Sequence, residues 1–541
     1  MTSWCHRDAT GLHSHTLTAD AQQLVEDLEA HLRPLEIDLA RAWWESNTTA
    51  SPEADQRRAD ADLAHRAALA DEDAFRAVRE ARDDPALDAL VRRQLDVLHD
   101  GFVPHQLPED VRRGLVELET AVENTYNTFR GELDGARVDD NTILEILRTS
   151  DDAGLRQHAW EASKQIGAEV AEQVRELARL RNQAAQSLGY RDHFALALAT
   201  SELEEDRLFA TLAEVDSQTR VPFTTWKADL DEALAARFDC AVDDLRPWHL
   251  DDPFFQDPPT SGAVDLDPVF ANRDLVELTL RTYDGLGLDV RPVLDHSDLF
   301  ARDGKSQHAF CIDIDREGDV RVLCNVEPNE RWMDTMLHEF GHGIYDREVQ
   351  RDLPWLIRGA AHSLTTEGVA MLFGRLVREP EWLAQVVELS VSELDVLGPQ
   401  LEGARRAALL TFARWVLVMT SFERAFYGDP EQDLDTLWWD LVERYQGVRR
   451  PDGRHEPDWA SKIHLAVVPV YYQNYLFGEL VASQLAATLR RDAGGLVDRH
   501  EAGALLVDRF FGPGGSRRWD RLVEDATGEP LTPAHLAREL A

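Results

Sequence analysis

Lysine is almost missing from this chain. Of 57 basic residues only Lys164, Lys227, Lys305 and Lys462 are lysines, against 100 acidic residues and a formal net charge of −43. A phosphate backbone is bound by a basic surface, so nucleic acid is excluded as a partner class. Cysteine is also scarce: Cys5, Cys240, Cys311 and Cys324 contain no CxxC pair, and reduced thiols are the default. No run approaches the roughly 18 continuous apolar residues of a membrane span, and the opening MTSWCHRDATGLHSHTL carries no apolar leader core. The expectation is a cytoplasmic protein with reduced thiols and no membrane partner. Abundant Ala, Arg and Asp with few Lys fits a GC-rich bacterial source.

What is present is helical periodicity. Leu24, Leu28, Leu32, Leu35 and Leu39 recur at three- and four-residue steps, which lays one apolar stripe along a helix. The same spacing runs through VRRGLVELETAVENTYNTF and through the segment from Gly154 to Gly189, whose closing glycine suits a helix C-cap. DDPFFQDPPTSGAVDLDPVF, residues 251–270, reads as a linker or surface loop. Strand-like alternation is read once, at 307–325. If Glu317-Gly318 is its two-residue turn, Cys311 and Cys324 stand opposite each other and can bridge in an oxidising compartment.

Beside that strand segment lies TMLHEFGHGIY, residues 335–345. Residues four apart share a helix face, so His338 and His342 can direct both imidazoles at one ion, with Glu339 at its flank. Zn²⁺ takes two histidines in this geometry and a neighbouring Glu acts as base towards water. A third ligand is needed, and Glu367 in SLTTEGVAMLFGRLV supplies a candidate carboxylate on a second amphipathic helix. SQHAFCIDI can offer main-chain hydrogen bonds to an extended peptide. His464, Tyr472 and Tyr475 sit in an apolar context, and buried phenols want partners.

These residues carry a resemblance. From about residue 140 to about 530 the chain resembles the angiotensin-converting-enzyme-like zinc peptidyl dipeptidases. SQHAFC, GDVRVLCNV, HEFGHGIYDREVQRDLPWLIRGAAHSLTTEG, LWWDLVERYQGV, SKIH, YYQNY and RRWDRLVEDATGEPL follow in the family's order. The zinc arrangement and YLFGE are also similar to the thimet-oligopeptidase and oligoendopeptidase group. The resemblance implies a mainly α fold, a helical ellipsoid with a deep central cleft and a small antiparallel β element beside the zinc helix. It implies a polar tail over 1–19 and one peptidase domain over 20–541, made of lid helices (20–135) and a zinc-peptidase body (136–541).

The same resemblance implies Zn²⁺ held by His338, His342 and Glu367, with Glu339 as general base and proton shuttle. It implies an oxyanion pair, His464 and Tyr475, and substrate contacts from His308, Ala309, Lys462 and Tyr472. Lys462 would receive the free C-terminal carboxylate and so fix dipeptide release from short peptide substrates. Two departures stand out. The positions of the chloride-binding arginines fall at Val442 and Asn474, so chloride activation is not expected. The carboxylate that supports the zinc shell falls at Met371. The implied function is a zinc metallopeptidase releasing C-terminal dipeptides. The alternatives are an oligoendopeptidase and, in another class, a catalytically silent peptide-binding scaffold.

Overall fold

A computed structural model describes residues 10–49, 51–259 and 264–541. About 70% of the chain is helical, and the described residues form two small antiparallel sheets of two strands each. The expected tail over 1–19 lies outside the described residues apart from the backbone of 10–19, which belongs to the helix Thr10–Thr49. No described helix is long and apolar enough to cross a membrane.

The chain forms two compact units. The first comprises Met1–Leu107, Asp267–Arg375 and Thr488–Pro530, and the second Pro108–Leu266, Leu376–Ala487 and Leu531–Ala541. The stretch read as a linker or loop thus contains a passage from one unit to the other. In the first unit, Ala21, Val25, Leu28 and Leu32 of helix Thr10–Thr49 pack on Val91, Leu95, Leu98 and Phe102 of helix Ala89–Phe102. Their four-, three- and four-residue steps keep them on one face. Trp355 closes this core, and its indole N–H donates to the Asp315 carbonyl at 2.9 Å.

The second unit is built on long helices, Ala153–Ser187, Glu205–Arg237 and Val391–Gly428. Asp152 caps the first by accepting from the Gly154 and Leu155 N–H groups. Gly189, at φ +89°, ends it where the Tyr190 N–H reaches the Ala185 carbonyl, a Schellman closure that favours glycine. The third helix is buried mainly over its C-terminal half, from Ala407 to Tyr427, and shares an aromatic core with Trp438 and Trp459, in which Phe422 is central.

Two strand expectations are corrected. A second hairpin, β1 (Gly131–Leu133) with β2 (Ala136–Val138), turns at Asp134-Gly135, where both residues take positive φ. An Asp-Gly pair between short alternating segments is a strong hairpin signal, and LDGA carries it. The hairpin expected at 307–325, β3 (Phe310–Asp313) with β4 (Val320–Leu323), pairs Cys311 with Val322. Its loop is longer than two residues, because Asp315 accepts from the Glu317 and Asp319 N–H groups and draws Arg316 and Gly318 into positive φ. Cys311 and Cys324 are therefore not opposite, and both are free thiols.

Candidate metal centre

The motif lies in helix Glu330–Glu348 of the first unit, opened by Asn329, whose side chain accepts from the Trp332 N–H. Met333, Met336, Leu337, Phe340 and Ile344 bury one side. One turn apart, His338 and His342 place their Nε2 atoms 3.3 Å from each other. The helix Ser363–Gly374 packs against this one closely: a Cβ on Gly341 would lie 3.0 Å from the Ala370 Cα. That contact explains the glycine inside the motif. It also carries Glu367 to within 3.8 Å of His338 Nε2. Ligand atoms of His338, His342 and Glu367 all lie within 4.8 Å of one another.

Burial sets the charge state. It lowers His338 to about 4 and, with His338 adding to the effect, His342 to about 3. Both imidazoles are thus neutral, the form that ligates a metal. Burial raises Glu367 to about 7. Burial and then the Glu367 charge raise Glu339 to about 8, opposed by a hydrogen bond from the Cys311 backbone on β3. Two carboxyls whose charged form is disfavoured by burial, beside two neutral imidazoles, form a donor set that a divalent cation would complete. Three N/O donors suit Zn²⁺ with a position left open.

Two residues here were not read from the sequence. Thr366 Oγ1 lies 2.7 Å from His342 Nδ1, which fixes the ring and leaves Nε2 for the metal. Asp334, one turn before His338, adds its charge to the field that raises Glu339. Their positions beside a ligand and one turn from another are the signal that could have found them. Met371, where the resemblance implied a carboxylate, is half-buried one turn after Glu367. His308 and Ala309 fall just before β3, with His308 exposed. The outer edge of β3 has no ladder partner among the described residues, since β4 pairs on its far side with Asp298.

The other implied residues lie in the second unit. Lys462 is buried, donates to Gln256 Oε1 at 2.9 Å and lies 5.0–5.7 Å from the rings of Phe254, Trp415 and Tyr472. Burial lowers it to about 8, against the opposing charges of Asp252 and Asp257. The His464 ring lies 4.9 Å from that of Tyr472 at a tilt, and Tyr472 meets Tyr475 edge-on at 5.8 Å. Tyr472 is buried and its ring adjoins Lys462, whereas Tyr471 is half-exposed. Gln256 was missed because it sits in the stretch read as linker or loop.

Comparison with known proteins divides the chain. The family described as Angiotensin-converting enzyme matches residues 15–225, and Peptidase family M3 matches residues 295–541. An angiotensin-converting enzyme-like protein, Ace3, of Mus musculus is 23% identical over 499 residues, covering 83% of this chain and 65% of that protein. An angiotensin-converting enzyme-related protein of Drosophila melanogaster is 25% identical over 254 residues, 42% of this chain and 39% of its own. Angiotensin-converting enzyme of Rattus norvegicus is 26% identical over 245 residues, 41% of this chain and 18% of its own. The chain spans 65% or less of the length of each of these relatives. It resembles the converting enzymes through its N-terminal part and over most of its length at low identity, and family M3 through the part that carries the metal centre.

Proposed function

We propose that a chain with this double likeness is a zinc metallopeptidase that hydrolyses short oligopeptides and releases C-terminal dipeptides. The observation that carries the reading is the convergence of His338, His342 and Glu367 donors within 4.8 Å, with Glu339 beside them. Zinc bound there would polarise the scissile carbonyl and activate water. Glu339, one residue after His338 on the same helix, is assigned to take a proton from water and return it to the leaving amine. His464 and Tyr475 are assigned to the developing oxyanion, where a donor matters more in the transition state than in the ground state. His308 and Ala309 are assigned to the substrate main chain.

Release of a dipeptide rests on Lys462, held by Gln256 and flanked by Tyr472. A cation there would hold the free carboxylate and measure the cut from that end. The family M3 match over 295–541 favours a second reading, an oligoendopeptidase without that requirement. Retention of Glu339 with all three ligands argues against a silent scaffold. One peptide with a free and with an amidated C-terminus, each with and without chelator, tests the choice. Chelator-sensitive cleavage of the free form alone is expected. Equal cleavage of both would transfer the proposal to the oligoendopeptidase, and no cleavage by zinc-loaded protein would end it.

A further inference from the structure

The connection between His464 and helix Tyr472–Asp492 contains a residue out of place. Val470 takes φ +57°, a left-handed conformation in which the branched Cβ of valine is crowded. Chains that merely need such a turn place Gly or Asn there. A strained, β-branched residue persists where its surroundings over-determine it.

The surroundings do so. The Val470 N–H donates to Glu423 Oε1 at 2.6 Å, and Gln473 Nε2 donates to the Val470 carbonyl at 2.5 Å. Glu423, 1% exposed on helix Val391–Gly428, has a second carboxyl oxygen that is buried without a hydrogen-bond partner. From helix Ala153–Ser187, buried Arg181 donates to the carbonyls of Leu465 and Ala466. The segment from His464 to Tyr472 is therefore held from beneath by three buried polar side chains. Two of them are ionisable groups that the proposed chemistry does not use.

We infer that Glu423 is a positioning residue: by accepting the Val470 N–H it locks a strained connection that sets His464 relative to Tyr475. The inference rests on the assignment of those two side chains to the oxyanion. Burying a carboxylic group so deeply is costly, and burial raises Glu423 to about 8. A core with no positional demand would use an apolar residue there. A neutral glutamine offers the same acceptor, so it should serve as well.

The experiment compares Glu423→Ala, Glu423→Gln and Glu423→Ala combined with Val470→Gly. It follows hydrolysis of a short peptide, bound zinc, and amide exchange of residues 464–475 and 330–348. Glu423→Ala is expected to lower kcat about 10–100-fold, as for a small misplacement of a catalytic group. KM and zinc content should hold, and exchange should rise in 464–475 alone. Glu423→Gln is expected to match the parent. Val470→Gly, which removes the strain, should recover much of the lost kcat. Unchanged exchange in 464–475 after Glu423→Ala, or equal failure of the Gln variant, would overturn the inference. Inactivity of the parent protein would instead remove the peptidase reading, and the exchange results would still decide whether Glu423 locks the connection.

Discussion

Lys462 shows what a residue's surroundings add to its identity. Its ammonium is the form that attracts a carboxylate, and burial brings its pKa from 10.5 down to about 8. The cation is present below that value and lost above it. On substrates with a free C-terminus, kcat/KM should fall about tenfold per pH unit above pH 8, because it reports the free enzyme. Lys462→Met should abolish this limb. A flat profile from pH 8 to 9.5 would separate Lys462 from carboxylate recognition. The pairing of His338 with His342 was legible because a helix fixes a four-residue spacing. Gln256 and Thr366 were not, because a partner brought by tertiary packing leaves no spacing to read.

Between helices Glu330–Glu348 and Ser363–Gly374 the controlling quantity is their distance of approach. With only 3.0 Å between a Gly341 Cβ and the Ala370 Cα, a larger side chain must part the helices that carry the ligands. Gly341→Val should cost about 1–3 kcal/mol in thermal or denaturant unfolding, the usual range for overpacking, and weaken zinc binding as well. Parent-like stability and zinc affinity would show that the helices can separate without loss. The β3–β4 hairpin marks a limit of pattern reading. Moving the register by two residues, from Cys311 opposite Cys324 to Cys311 opposite Val322, leaves every side chain on its original face. Alternation is blind to such a slip, and the turn chemistry of Asp315 decides it.

Across the whole molecule, charge is distributed by residue type. All four lysines are buried: Lys164 over the Phe254 ring, Lys227 against Asp231, Lys305 on the carbonyls of Asp298, Phe300 and Cys324, and Lys462 on Gln256. Scarcity alone thus does not single out Lys462; its partners do. Amine-reactive ester should modify the native protein at no lysine and give four lysine adducts after unfolding, as located by peptide mass spectrometry. Two or more lysine adducts on native protein would contradict this burial. The mainly helical class was legible from apolar periodicity, whereas the assembly of each unit from separated segments was not, since long-range contacts create it. Zinc chemistry at this site is tested most directly by bound zinc and peptide hydrolysis measured together in the parent, Glu367→Gln and Glu339→Gln. One zinc per parent chain is expected, with zinc and hydrolysis both lost in Glu367→Gln, and zinc kept with hydrolysis reduced at least about a thousandfold in Glu339→Gln. A zinc-loaded Glu339→Gln protein that cleaves as the parent does would contradict it.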